Sequence, residues 1–172
     1  MKKDMMRIVV PLDGYNVETD NRYLIPCVKG GSFGFINKNG DVVIPAQFDY
    51  VLDDFLNEDS LVRVGRSYVR TYPRKTTDPA AYSYKRYGVL RSDGTLLIPI
   101  EYEGINMSIA SRRIILRSMD KGYSVVDFDG NIVVPFGKYG YIKGFNIGIA
   151  RVKKNASDSE WQMIDENGNE II

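Results

Sequence analysis

The sequence predicts an all-β protein built from tandem antiparallel β-hairpin repeats, about four units of about 36 residues, stacked as a short β-solenoid or a propeller-like array. Three observations predict this fold class. A pattern of aromatic residue, glycine-containing turn and proline recurs along the chain. The second strand of each copy is apolar at consecutive positions, and no stretch has a helical period.

The recurring pattern is clearest in Phe33–Pro45, where Asn39 and Gly40 separate two apolar runs. Asn and Gly tolerate the positive φ angles of a type I′ turn, so this segment is predicted to be a hairpin. Each copy places its aromatic residue 7 positions before the turn glycine. The aromatic residues are 54, 36 and 38 positions apart, so the first interval contains an insertion of about 18 residues. The other copies are Tyr87–Pro99, Tyr123–Pro135 and Trp161–Ile172.

The second strand of each hairpin is apolar without alternation, as in Val42–Ile44. Such runs predict that both faces of the strand are covered, with neighbouring repeats as the cover. The proline that follows lacks an N–H donor, so pairing is expected to stop or bend there. A short aromatic segment and a further strand come next in each repeat. These further strands are predicted at Leu61–Val64, Ile114–Arg117 and Ile149–Val152.

The repeats predict one domain over residues 1–172. Its predicted parts are a partial unit 8–32, a unit 33–64 with an inserted hairpin 65–86, units 87–122 and 123–160, and a partial unit 161–172. Ile8–Pro11 matches Val42–Pro45, which predicts the second half of a unit, and Tyr23–Lys29 is predicted to be a later strand of it. The two partial units are expected either to complete each other, as in closed propellers, or to end an open array.

Composition argues against several kinds of site. The chain has no histidine and no phosphate-loop, dinucleotide or nucleophile-elbow motif, which excludes triad and imidazole–metal chemistry. Its single cysteine, Cys27, is expected to be a small buried hydrophobe. Asp127–Asn131 is similar to the start of a calcium loop but lacks the later glycine and glutamate, and the acids of 49–59 read as a solvated loop. We therefore predict a non-enzymatic protein without catalytic residues, metal or cofactor.

The sequence contains no apolar run that approaches the length of a membrane span, and no apolar leader follows its basic first residues. A soluble, cytoplasmic protein that does not bind membranes is the expectation.

The order of residues in each repeat resembles the bacterial WG-repeat family. Its consensus begins Trp-Gly and continues through a hairpin to a proline and Tyr-Asp, and Phe33-Gly34-Phe35-Ile36 through Phe48-Asp49 is the closest copy. Only Trp161 keeps the tryptophan, and the glycine is replaced by Ser124 and Gln162 in the last two copies. The resemblance implies an all-β interaction module without known catalytic residues.

The insertion between Val64 and Tyr87 is the candidate binding site. Alternating tyrosine and arginine predict that two strands are prolonged into a projecting hairpin with its tip at Pro73–Ala81, whose even-numbered side chains share one face. Of the 23 basic and 22 acidic residues of the chain, 8 and 1 lie in 61–91, which leaves 15 and 21 elsewhere. The segment has a net charge of +7 and the remainder −6. The predicted partner-binding residues are Arg66, Tyr68, Arg70, Tyr72, Arg74, Lys75, Tyr82, Tyr84, Lys85 and Arg86.

This composition predicts a module that binds a macromolecular partner, with an acidic protein surface preferred over nucleic acid, through cation–π contacts and charge-assisted hydrogen bonds. Alternatively, the hairpin is a solvated surface element whose cations pair with acids such as Asp53 or Asp59. A third reading is a carbohydrate- or small-ligand-binding protein that uses exposed tyrosines and Trp161. Unpaired strand edges also make a homodimer an option.

Overall fold

The computed structural model describes residues 7–8, 24–53, 55, 59–71 and 81–171. These residues form sixteen strands and no helix, which confirms the all-β class. No helix long and apolar enough to cross a membrane therefore occurs among them. The chain divides into two compact units, Met1–Glu101 and Tyr102–Ile172.

The first unit contains two four-stranded sheets, in each of which the strands lie in chain order. The strands of the first sheet are β1 (Arg7–Ile8), β2 (Ile25–Lys29), β3 (Ser32–Ile36) and β4 (Val42–Phe48). Those of the second are β5 (Tyr50–Val51), β6 (Leu61–Thr71), β7 (Ala81–Arg91) and β8 (Leu96–Tyr102).

The second unit also contains two four-stranded sheets with the same order of strands. The strands of its first sheet are β9 (Gly104–Ser108), β10 (Arg113–Ser118), β11 (Gly122–Asp127) and β12 (Ile132–Val134). Those of the other are β13 (Tyr141–Ile142), β14 (Ile149–Lys153), β15 (Gln162–Asp165) and β16 (Glu170–Ile171). How the sheets stack as an array stays a prediction.

Sheets and sequence repeats are out of phase. The hairpin that opens a repeat supplies the last two strands of one sheet, as β3 and β4 do, and the rest of the repeat supplies the first two strands of the next sheet. Ile8 lies in β1, the first strand of its sheet, and pairs with β2, whereas Val42, which it matches in sequence, lies in β4, the last strand of the sheet. The remainder of that match, 9–11, lies outside the described residues.

All four hairpins form, but the predicted type I′ turn is wrong. Asn39 has no positive φ, and Gly40 alone reaches the left-handed region, at 85°. The Gly40 N–H donates to the Asn37 carbonyl and the Asn37 N–H donates to the Asp41 carbonyl, both at 3.0 Å. This pattern is that of a type I turn followed by a glycine bulge. The same two bonds recur at Arg91, Asp127 and Asp165.

The expectation that second strands are covered on both faces is wrong. Val42 is 50% exposed and Ile132 69% exposed, whereas Ile44 and Val134 are buried at 2% and 0%. The last residue of each apolar run is buried in the core, the first is exposed next to the turn, and of the middle residues Val133 is partly buried against the core.

Each unit has its own hydrophobic core. In the first unit, strands of both sheets and the segments that flank them contribute Leu24, Phe35, Ile44, Phe48, Phe55, Val62, Val64 and Leu90. In the second, the core consists of Ile115, Val125, Val134, Tyr139, Ile142, Phe145, Ala150, Val152 and Ile164. Cys27 is fully buried, as expected, and its burial raises the pKa of the thiol.

Candidate binding surface

The inserted segment forms a two-stranded ribbon that continues the second sheet. Strands β6 and β7 pair without interruption from Leu61 and Arg91 to Thr71 and Ala81. Because β5 pairs only with Val64 and Gly65, residues 66–71 and 81–86 extend beyond it, and we call these residues the basic ribbon. Ala81, which was assigned to the tip, belongs to β7. The predicted contact residues Tyr72, Arg74 and Lys75 lie outside the described residues.

One face of the basic ribbon has a pair of stacked tyrosines. The register places Tyr68 opposite Tyr84, and their ring centroids are 5.4 Å apart with planes inclined by 19°. The Arg86 guanidinium lies over the Tyr84 ring, 4.6 Å from its centroid. The register also places Arg66 opposite Arg86 and Arg70 opposite Tyr82. Arg66, Tyr68, Arg70, Tyr84 and Arg86 therefore share this face.

The opposite face has a different cluster. Lys85, at an odd-numbered position, places its ammonium 4.3 Å from the centroid of the Tyr50 ring. The Tyr50 and Ser67 hydroxyls are 2.9 Å apart and hydrogen-bonded. Hydrogen bonds from Ser67 and then from Lys85 hold the pKa of Tyr50 below its usual value. Lys85 thus belongs to the predicted set but not to the face with the stacked tyrosines.

The base of the ribbon is anchored by polar contacts. The Arg63 guanidinium donates to both carboxylate oxygens of Asp53, at 2.8 and 2.7 Å, and the Arg63 N–H donates to the same carboxylate. This ion pair raises the pKa of Arg63. Arg66 donates to the Gln47 side chain at 2.9 Å and lies over the Phe48 ring. Of the predicted contact residues, Arg66 therefore has a role in holding the ribbon to β4.

Charge on the ribbon strands is of one sign. Strands β6 and β7 contain no acidic residue, and their bases are Arg63, Arg66, Arg70, Lys85, Arg86 and Arg91. Arg70 and Lys85 are exposed. Asp53 forms an ion pair with Arg63, which agrees with the alternative that cations of this segment pair with nearby acids. Arg70 and Lys85 lie on the part of the ribbon beyond β5.

A second surface combines Trp161, which the sequence singled out, with a cleft that it did not. A cleft of about 240 Å³ is lined by Lys154, Asp158, Ser159, Glu160 and Gln162. Beside it in the chain, Trp161 is 42% exposed, contacts Tyr141 edge to face at 5.8 Å, and has the Lys153 ammonium 4.7 Å from its ring centroid. Among the residues that the structure describes, no group of three acids or cysteines is placed to hold a metal ion.

Four-stranded antiparallel sheets assembled from hairpin repeats define a β-repeat protein. Two of its repeats, residues 33–64 and 123–156, match the model of the WG containing repeat, which confirms the resemblance and identifies these segments as WG repeats. The first match begins in β3 and ends in β6, and the second runs from β11 to just beyond β14, so each joins two sheets. No curated protein and no solved structure matches the chain.

Proposed function

We propose that the protein is a non-enzymatic interaction module that binds an acidic region of a protein partner through the basic ribbon. The observation that carries this proposal is the Tyr68–Tyr84 stack on two strands that have cations and no acidic residue. Exposed arginine and tyrosine are the side chains that contribute most at protein interfaces, through carboxylate pairing and amphipathic contact area. The lack of histidine and of nucleophile or phosphate-loop motifs supports a binding role without catalysis.

The geometry favours an acidic protein over nucleic acid. Single-stranded nucleic acids stack their bases on exposed aromatic faces. The Tyr84 ring already contacts the Tyr68 ring and the Arg86 guanidinium, so a base that stacks on Tyr84 would compete with them. Carboxylates pair with guanidinium and ammonium groups and need no free aromatic face, so the Tyr68–Tyr84 stack can stay in place.

The experiment compares two variants of equal net charge. The ribbon variant carries Arg70→Ser, Arg74→Ser, Lys75→Ser and Arg86→Ser. The matched variant carries Lys29→Ser, Lys38→Ser, Lys143→Ser and Arg151→Ser, all at exposed positions elsewhere. The probes are poly-L-glutamate and a single-stranded thymidine oligonucleotide, titrated at about 0.05 M and about 0.5 M salt.

We expect the wild-type chain to bind poly-L-glutamate more tightly than the oligonucleotide at low salt. The ribbon variant should lose about tenfold or more in affinity, whereas the matched variant should lose little. A partner bound at the ribbon contacts the ribbon cations at short range, and the four cations of the matched variant lie elsewhere on the surface. Equal losses in the two variants would show that only bulk charge matters and would contradict the proposal. Tighter binding of the oligonucleotide would instead support a nucleic-acid partner.

A second candidate function has its own observation. Tyr123, Tyr141 and Trp161 form a chain of edge-to-face contacts with centroids 5.2 and 5.8 Å apart, and both Tyr141 and Trp161 are partly exposed. Exposed aromatic rings of this kind suit the apolar faces of sugars. Binding of an oligosaccharide that is insensitive to salt and is lost in Trp161→Ala would favour this function.

A further inference from the structure

The open edge of β6 is the feature from which the inference starts. The Asp49 N–H donates to the Gly65 carbonyl and the Leu52 N–H donates to the Arg63 carbonyl, both at 3.0 Å. The backbone N–H and C=O groups of odd-numbered β6 residues therefore point towards β5. In an antiparallel ladder, backbone groups of successive residues point to opposite edges. The even-numbered residues consequently bond to β7, and the N–H and C=O of Val69 point outward, away from β7.

A carboxylate already occupies the start of this edge. The Ser67 N–H, two residues before Val69 on the same edge, donates to the Asp49 carboxylate at 2.7 Å. Val69 comes next and its side chain is 66% exposed. No strand among the described residues pairs with this edge beyond Gly65. Such an edge is a template for another strand unless proline, a bulge or an inward-pointing charge blocks it, and β6 has none of these at Val69.

Charge selects what can occupy the edge. Asp49 lies beside β6 up to Ser67, so a strand added beyond it places its side chains about 5 Å from those of Tyr68 and Arg70 on the same face. A second copy of β6 would, in any register, bring further arginines to a face that already carries Arg66 and Arg70, which is unfavourable. A strand with a carboxylate beside Arg70 would instead pair with it.

We propose that the β6 edge at Val69 takes an extended acidic segment of a partner protein as an added β-strand. The segment has a carboxylate beside Arg70, two positions from a residue that packs against Tyr68. Main-chain hydrogen bonds supply affinity and the alternate side chains supply specificity, as in other strand additions. The inference rests on the proposed function and names the chemistry of the partner at that surface.

The probe is the acetylated and amidated peptide TDVYVDT, whose acidic and tyrosine side chains lie on one face when it is extended. Its controls are TKVYVKT and two N-methylated forms of the probe, one methylated at the valines and one at the acidic and tyrosine positions. Binding is followed by amide chemical shifts and by hydrogen exchange of the full chain. We expect slower exchange of the Val69 N–H with TDVYVDT and binding at least about tenfold weaker for TKVYVKT.

The backbone prediction is specific. One N-methylated form should lose binding by about tenfold and the other should retain it, because alternate N–H groups of an added strand face the edge. Val69→Pro should weaken binding by a similar factor. Ser83→Pro is the matched variant, because Ser83 lies opposite Val69 and its N–H points to the other outer edge.

Each other outcome overturns the inference. Equal effects of the two N-methylated forms, or protection at Ser83 instead of Val69, would exclude strand addition at this edge. Protection of Val69 in a dimer without peptide would assign the edge to a second copy. Binding that is weakened in the ribbon variant but unchanged in Val69→Pro and with both N-methylated forms would leave the proposed function standing and remove strand addition alone.

Discussion

Gly34 shows why the aromatic residue of a repeat is followed by glycine. A Cβ atom on Gly34 would lie 2.5 Å from the Ile44 carbonyl oxygen and 2.6 Å from the Ala46 nitrogen. The close approach arises because β4 shifts register around Pro45, so that Phe35 faces Ile44 but Phe33 faces Phe48. Gly88 has the same environment, 2.6 Å from the Ile98 oxygen. The expected bend at the proline therefore requires a glycine on the partner strand.

Ser124 occupies the same position in the third repeat and is accommodated differently. Its hydroxyl donates to the Val134 carbonyl at 2.7 Å in a buried position, and β12 ends at Val134, before Pro135. The departure from the family pattern thus replaces a close backbone approach by a hydrogen bond.

We predict that Gly34→Ala lowers the free energy of unfolding by about 1–3 kcal/mol, because the new methyl group meets backbone atoms that cannot move independently. Urea denaturation followed by circular dichroism measures the change. Gly104→Ala is the control, since a Cβ there meets mainly the flexible Arg117 side chain, at 3.2 Å. A loss in Gly34→Ala no larger than that of the control would show that β4 adapts without cost.

Among the elements, three of the four hairpin turns are held by the side chain of their first residue, and the turn that begins at Arg91 is held by Asp93 instead. Asn37 Oδ1 accepts the N–H groups of Asn39 and Asp41, both at 2.9 Å. Asp127 accepts from Asp129 and Asn131 in the same way, at 2.9 and 2.8 Å. The likeness of this segment to a calcium loop therefore reflects a self-capped turn.

The pKa of Asp127 is lowered in the folded protein. Burial acts to raise it, but hydrogen bonds from Asn131 and from the turn N–H groups outweigh burial. The pKa of Asp165 is lowered by the equivalent bonds, first from the backbone of Asn169. Since the folded pKa lies below the unfolded value of about 3.9, the stabilisation is present above that value and is lost as the pH falls through the folded pKa.

We predict that the double variant Asp127→Asn and Asp165→Asn loses less free energy of unfolding than the wild type as the pH falls from about 4 to about 2. The turns should still form, because an asparagine, Asn37, accepts the same hydrogen bonds in the first hairpin turn. Urea denaturation across this pH range measures the effect. Asp129→Asn, at an exposed position of the same turn, is the control. A double variant whose stability falls as steeply as that of the wild type would contradict the assignment.

For the molecule as a whole, the net charge of +1 conceals an uneven distribution, because 61–91 has +7 and the remainder −6. Localised charge governs adsorption to charged surfaces more than net charge does.

We therefore predict that the wild-type chain is retained on a cation exchanger at about pH 7 and low salt. The ribbon variant should elute clearly before the matched variant, although both lose four positive charges. Conductivity at elution is the measurement. Coelution of the two variants would show that the cations of the ribbon are not a distinct patch.

Much of the fold could be predicted because it is local. The 7-residue spacing from aromatic to glycine predicts each hairpin, since strand and turn lie within a dozen residues of each other. Alternation in the insertion likewise predicts that Tyr68 and Tyr84 share a face, as the register has them. The type I′ assignment was wrong because the Asn37 N–H bonds to the Asp41 carbonyl, which leaves Gly40 as a bulge and as the one residue of the turn with positive φ.

By itself, then, the sequence determined the class, the hairpins and the parity of the ribbon face, because these depend on neighbours in the chain. The tertiary structure decided that each repeat is shared between two sheets and that Arg66 binds Gln47, 19 positions away. It also placed Lys85 over Tyr50 on the other face and left the Val69 edge facing outward. These features depend on which distant strands pair and where each pairing stops, and no local pattern encodes that choice.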